Sequence, residues 1–132
     1  MKVAAMKLAA VAAGGALGAS LRYVIAAATH EIFGHDFPYG TLMVNILGSL
    51  VIGYLMVLLP HQEGGVPVVR LLLITGVLGG FTTYSAFSVE TLQLAQDGHL
   101  TKAGLNIAMT LFFCFAAVWA GFLAGRLIHG TS

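Results

Sequence analysis

The sequence predicts an all-α membrane protein with four transmembrane helices, the third of them broken. Three observations carry this reading. Of 132 residues, 58% are hydrophobic and only 8% charged, whereas a soluble domain carries about 25% charged residues. Four apolar stretches, each near the ~20 residues that cross a ~30 Å hydrocarbon core, are parted by short polar loops. Within the third, "GGFTTYSAFS" (Gly79–Ser88) places a glycine pair and a run of hydroxyls where a lipid-buried helix would be smoothly apolar.

The first stretch runs from about Leu8 to Ala28. Its start, "MKVAAMKLAAVAAGGALGAS", mimics a signal peptide in having basic residues, an apolar run and small residues. The apolar run is long enough to span a bilayer and more spans follow, so it reads as a retained helix. Gly14 and Gly18 form a GxxxG pair suited to close helix packing.

The second stretch, about Gly40–Leu59, follows "THEIFGHDFP". Thr41, Asn45 and Ser49 are spaced i, i+4, i+8 and so share one helix face. The third, about Arg70–Ala95, follows "PHQEGGVP". Gly76, Gly79 and Gly80 can adopt angles that other residues avoid, so the helix is expected to unwind over Gly79–Thr83. Unwinding at membrane depth frees carbonyls, which is tolerated only where protein or a cavity satisfies them, and freed carbonyls can hold a hard cation such as Na⁺. Beyond the break, Tyr84, Ser88 and Thr91 form a polar stripe. Tyr84 and Phe87, at i and i+3, can turn positive ring edges toward an anion.

The fourth stretch, about Lys102–Ile128, follows "AQDGHL". Asn106, Thr110 and Cys114 repeat the i, i+4, i+8 spacing, and Gly121 and Gly125 make a second GxxxG pair. No loop is long enough for another domain, so residues 1–132 read as a single membrane unit. Three helices thus each carry a track of hydroxyls or amides without a central charge. Such groups donate to an anion or accept from a cation, and the residues alone leave that choice open. Four helices enclose almost no interior, so a pathway needs a second copy of the chain.

Charge narrows the function class. The net charge of +1, with no basic run interleaved with aromatics, excludes the electrostatic footprint of a nucleic-acid binder. Lys2, Lys7, Arg70 and Arg126 fall at one side of the membrane and Arg22 and Lys102 at the other; so thin a bias allows insertion both ways round. Arg22 either draws anions to an entrance or snorkels to the interface, and Glu90 pairs with a cation or caps a buried network. The single cysteine, Cys114, excludes a disulfide framework and reads as a small apolar residue. The five histidines (His30, His35, His61, His99, His129) are placed in loops or at termini, and His30, Glu31, His35 and Asp36 lack an ordered metal-ligand frame. Neither a phosphate-binding loop nor a nucleophile–base arrangement is visible, so the chain reads as no enzyme.

"GGALGASLRY" (Gly14–Tyr23), "GTLMVNILGS" (Gly40–Ser49) and "TGVLGGFTTYSAFSVE" (Thr75–Glu90) together resemble the CrcB/Fluc fluoride channels, over essentially the whole chain. The resemblance implies an antiparallel dual-topology homodimer in the bacterial inner membrane, with two pores that passively conduct fluoride and let the cell expel it. It implies a central structural Na⁺ at the dimer interface, held by the backbone carbonyls of Gly79 and Thr82. Asn45 matches a pore-lining amide, Tyr84 and Phe87 the two rings beside the ion path, and Ser85 and Ser88 nearby hydroxyls. Thr41, Asn106, Thr110 and Cys114 extend that anion pathway, Arg22 matches a basic residue near the entrance, and Glu90 ends the "SVE" motif. Two departures stand out: Tyr84 occupies a position that is usually Phe, and Cys114 one that is usually Ser, with Thr110 as the alternative hydroxyl. The rivals are a small multidrug-type exporter, which needs a carboxylate in the first stretch where none stands, and a scaffold that transports nothing.

Overall fold

The computed structural model describes residues 2–59 and 65–130. Four helices in it are long and apolar enough to cross a membrane, which makes this a multi-pass membrane protein. Helix α1 spans Lys2–Phe33 and α2 spans Tyr39–Leu58. The third span divides into α3 (residues 68–81) and α4 (Tyr84–Gln96), and α5 runs over Leu100–His129. His61 and its predicted loop neighbours at 60–64 lie outside the described residues.

The helices overrun the apolar stretches most clearly in α1, where polar residues do not break the helix: the buried Thr29 donates its hydroxyl to the Ile25 carbonyl at 2.7 Å. Glycine in the left-handed region ends it instead. Gly34 (φ 83°) closes α1, with its N–H on the His30 carbonyl at 2.8 Å, so His30 belongs to the last turn of α1 rather than to a loop. Gly98 (φ 82°) closes α4, where His99 N–H reaches back to the Leu94 carbonyl at 2.8 Å in a Schellman motif.

Packing divides the helices into two seams. Along the first, Gly14 and Gly18 of α1 meet the backbone of Leu72, Gly76 and Val77 of α3, and Gly80 meets Gly15 and Ala19. Along the second, Gly53 of α2 meets Val118 of α5, Gly121 meets Leu50 and Tyr54, and Gly125 meets Val57. Both GxxxG pairs therefore pack within one chain. Lipid provides no hydrophobic drive between helices, so backbone-to-backbone approach is what associates them.

The ends are tied by polar contacts. At one end Tyr54 Oη and His129 Nε2 lie 2.7 Å apart, and the Arg70 guanidinium donates to the Leu59 carbonyl. At the other, Lys102 Nζ donates to the Asp36 carbonyl at 3.1 Å. Few residues are enclosed: Val44 and Asn106 are the largest fully buried side chains among the described residues. Large apolar residues such as Phe112, Phe115, Trp119 and Leu127 stand exposed along α5, as expected where the surrounding solvent is lipid.

The α2–α5 seam makes a direct prediction. Gly121→Val drives a side chain into the Leu50 carbonyl and should cost about 1–3 kcal/mol or more, read as a lower melting temperature in detergent. Gly104→Ala, with open space around its α-carbon, should be neutral or slightly stabilising in the same assay.

Candidate functional site

The break lies at Thr82–Thr83, not at the glycines. Thr82 (φ −78°, ψ 156°) and Thr83 (φ −151°, ψ 115°) are extended, while Gly79 keeps helical angles (φ −63°, ψ −36°). The expectation that the glycines unwind the helix is therefore corrected. Gly76 and Gly80 let α1 approach, and Gly48 of α2 makes room for the Thr82 methyl. Before the break, Leu71–Leu78 forms wide π-helical turns, a distortion often found near functional sites.

Asn45 splints the break. Its Nδ2 donates to the Thr83 carbonyl at 3.0 Å and its Oδ1 accepts from the Thr83 N–H at 2.8 Å. The helix restarts on Thr83 itself, whose Oγ1 accepts from the Ala86 N–H at 3.1 Å as an N-cap. These bonds divert two helical donors. In an unbroken helix the Thr83 N–H would serve the Gly79 carbonyl, and the Ala86 N–H the Thr82 carbonyl. Both now bond elsewhere, so the carbonyls of Gly79 and Thr82 lose their intrahelical donors.

A cleft of about 470 Å³ opens beside the break. Asn45 and Ser49 of α2 line it, with Gly79, Thr82 and Thr83 at the break and Thr110 and Cys114 of α5. Tyr84 and Phe87 complete it, their rings 5.5 Å apart and tilted by 53°. Phe87 is 7% exposed and Tyr84 78%, so Phe87 is held by the chain while Tyr84 stands at the rim. The lining contains no Asp, Glu, Lys or Arg among the described residues. Thr110 Oγ1 is buried without a partner there.

Other expected site residues lie outside this lining. Thr41 Oγ1 donates to Glu90 Oε1 at 2.7 Å, and Glu90 Oε2 is buried without a hydrogen-bond partner among the described residues. Asn106, 1% exposed, donates to Thr91 Oγ1 at 2.9 Å, which itself donates to the Phe87 carbonyl at 2.6 Å. The stripe of Tyr84, Ser88 and Thr91 is thus divided: α4 meets α5 at Thr91, leaving Ser88 and Tyr84 exposed in the turns before it. Ser88 Oγ bonds back to the Tyr84 carbonyl at 2.9 Å, and Ser85 Oγ lies 3.2 Å from Thr83 Oγ1. Arg22 is half-buried on α1, away from the cleft.

Sequence reasoning passed over Thr83, which both receives the Asn45 splint and caps α4. Its signal was a threonine immediately before a helix restart, the ordinary N-cap signature. Asn45→Ala leaves the Thr83 peptide without its partner and should cost about 1–3 kcal/mol. Thermal melting in detergent, with faster hydrogen exchange at the Thr83 amide, checks this; an unchanged melt and exchange rate would remove Asn45 as the splint.

Residues 9–122 match the family described as "CrcB-like protein, Camphor Resistance (CrcB)". The chain is 43% identical over 123 residues to the "Fluoride-specific ion channel FluC" of Magnetococcus marinus, covering 93% of this chain and 100% of that protein. Against the protein of the same name from Hydrogenovibrio crunogenus it is 43% identical over 121 residues, 92% of each. Against that of Methylococcus capsulatus it is 41% identical over 126 residues, 95% of this chain but only 55% of the longer relative. With a family match across nearly all four spans and relatives of this identity over their full length, the chain belongs to the CrcB family.

Proposed function

We propose that this chain is the subunit of a fluoride channel, not an enzyme, and that it works as an antiparallel homodimer with two pores. The observation that carries this is the uncharged cleft beside the break, where hydroxyls, an amide and two rings meet. Relatives similar over their whole length bear the name of fluoride-specific channels.

The chemistry suits a small anion that accepts strong hydrogen bonds. Thr110 Oγ1 has no partner among the described residues and can donate to a passing ion. The Phe87 ring, fixed by burial, can offer its positive edge. A lining without fixed charge neither repels the anion nor binds it too tightly to leave. One chain supplies one wall of the cleft, and a second copy would close it. Passive conduction then lowers cytoplasmic fluoride and confers resistance.

The same reading gives the break its cation. The Gly79 and Thr82 carbonyls, deprived of helical donors, are the oxygen ligands a hard cation takes. Two copies facing each other would bring four such oxygens together, which fits a structural Na⁺ at the dimer interface. The ion would neutralise the exposed carbonyl dipoles and hold the subunits together.

Fluoride efflux from proteoliposomes, followed with a fluoride electrode and repeated with chloride, tests the reading. Rapid fluoride loss with negligible chloride loss is expected, and no fluoride loss from a folded dimer would overturn it. Phe87→Ile should lower the flux at least about tenfold with the dimer intact, since one lost ring contact of about 1.4 kcal/mol at the barrier is tenfold in rate. Replacing Na⁺ by N-methylglucamine on both sides should weaken the dimer on size exclusion and reduce flux, with recovery when Na⁺ returns. A dimer and flux indifferent to Na⁺ would remove the cation from the break.

A further inference from the structure

We propose that Asn106 and Thr91 are positioning residues for the anion path: they tie α5 to α4 one turn away from the cleft and so hold the Phe87 ring against it. This rests on the channel reading above. Asn106 shares a helix face with Thr110 and Cys114, but only those two line the cleft; Asn106 and Thr91 do not. Asn106 is instead fully buried, and its Nδ2 donates to Thr91 Oγ1 at 2.9 Å. Thr91 relays the contact. A hydroxyl has one hydrogen to give and lone pairs to accept with; Thr91 gives its hydrogen to the Phe87 carbonyl at 2.6 Å and accepts from Asn106. Among the described residues, this is the only side-chain hydrogen bond that joins α4 to α5.

The place of the link follows from the turn before it. Only Asp97, Gly98 and His99 separate α4 from α5, so the two helices run antiparallel as a hairpin. Thr91 stands opposite Asn106. Four residues back along α4 match four forward along α5, which brings Phe87 level with Thr110, and both line the cleft. The link therefore sets how far the Phe87 wall stands from the Thr110 wall. Elsewhere α4 is tied to α2, through Thr83 on Asn45 and Glu90 on Thr41. Those ties leave it free to swing toward or away from α5, and Asn106 removes that freedom. At membrane depth no water competes for the amide or the hydroxyl, so the link is kept.

Replacing both partners of a buried hydrogen bond by apolar groups of similar shape is nearly neutral for stability, whereas replacing one leaves the other unpaired. The double variant Asn106→Leu, Thr91→Val should therefore melt in detergent no lower than Thr91→Val alone. Its fluoride efflux from proteoliposomes should nevertheless fall about three- to tenfold, the range set by one interhelical hydrogen bond. Thr91→Ser keeps the hydroxyl and should conduct like the wild type. If Asn106 met the ion itself, its loss and that of Thr91 would multiply; through a shared link, the double variant conducts no worse than the slower single. Full flux in the double variant, or effects that multiply, would overturn the proposal. A second measurement stands apart from conduction: 4-fluorophenylalanine placed at position 87 of the full-length protein reports the ring by NMR. One sharp fluorine signal is expected in the otherwise wild-type chain and in Thr91→Ser, and a broadened or split one in the double variant. A signal unmoved in the double variant would overturn the link's hold on the ring. Absence of fluoride flux from the wild type would instead strike the channel reading, leaving the ring measurement to stand.

Discussion

A side-chain amide standing in for a peptide group is the interaction on which the rest of this structure depends. Asn45 offers the Thr83 backbone a donor and an acceptor, the same pair that a neighbouring strand would offer. At membrane depth an unsatisfied peptide costs several kcal/mol, so an extended segment survives there only with such a partner. The Asn45 pairing lets the third span leave the helix at Thr82, and the Thr83 cap lets it resume at Tyr84. Between them they divert the donors of the Gly79 and Thr82 carbonyls and set Phe87 against the cleft.

Asn45 can reach Thr83 only because the helices are close. Glycine seams hold α1 on α3 and α2 on α5 at backbone contact, and Gly48 admits Thr82 beside the splint. Across the bundle, polar side chains are then used in pairs: Thr41 with Glu90, Asn106 with Thr91. Two buried oxygens among the described residues stay outside this pairing, Thr110 Oγ1 beside the cleft and the second oxygen of the Glu90 carboxyl group, Oε2. The bundle is therefore held by a largely satisfied polar framework.

The spans were legible because hydrophobic length is a one-dimensional property, and so were the tracks on α2 and α5, because the i, i+4 spacing fixes a shared helix face. Asn45, Thr110 and Cys114 do meet beside the break. The glycines misled in their reason. Gly76 and Gly80 suggested unwinding by conformational freedom, yet they keep to helical turns and serve close approach to α1. A glycine looks the same in sequence whether its missing side chain is needed for backbone angle or for space. The stripe of Tyr84, Ser88 and Thr91 shares a helix face, but only Thr91 lies where α5 comes near.

What the sequence by itself determined is a four-span membrane chain, interrupted in its third span, with uncharged polar groups on repeating faces. Those properties follow from apolar length and helical period, which need no knowledge of neighbours. The tertiary structure alone decided where the interruption falls, which carbonyls it exposes and which side chain satisfies it. Those depend on residues 38 positions apart in the chain, Asn45 and Thr83, brought within hydrogen-bond distance by seams whose only sequence mark is the absence of a side chain.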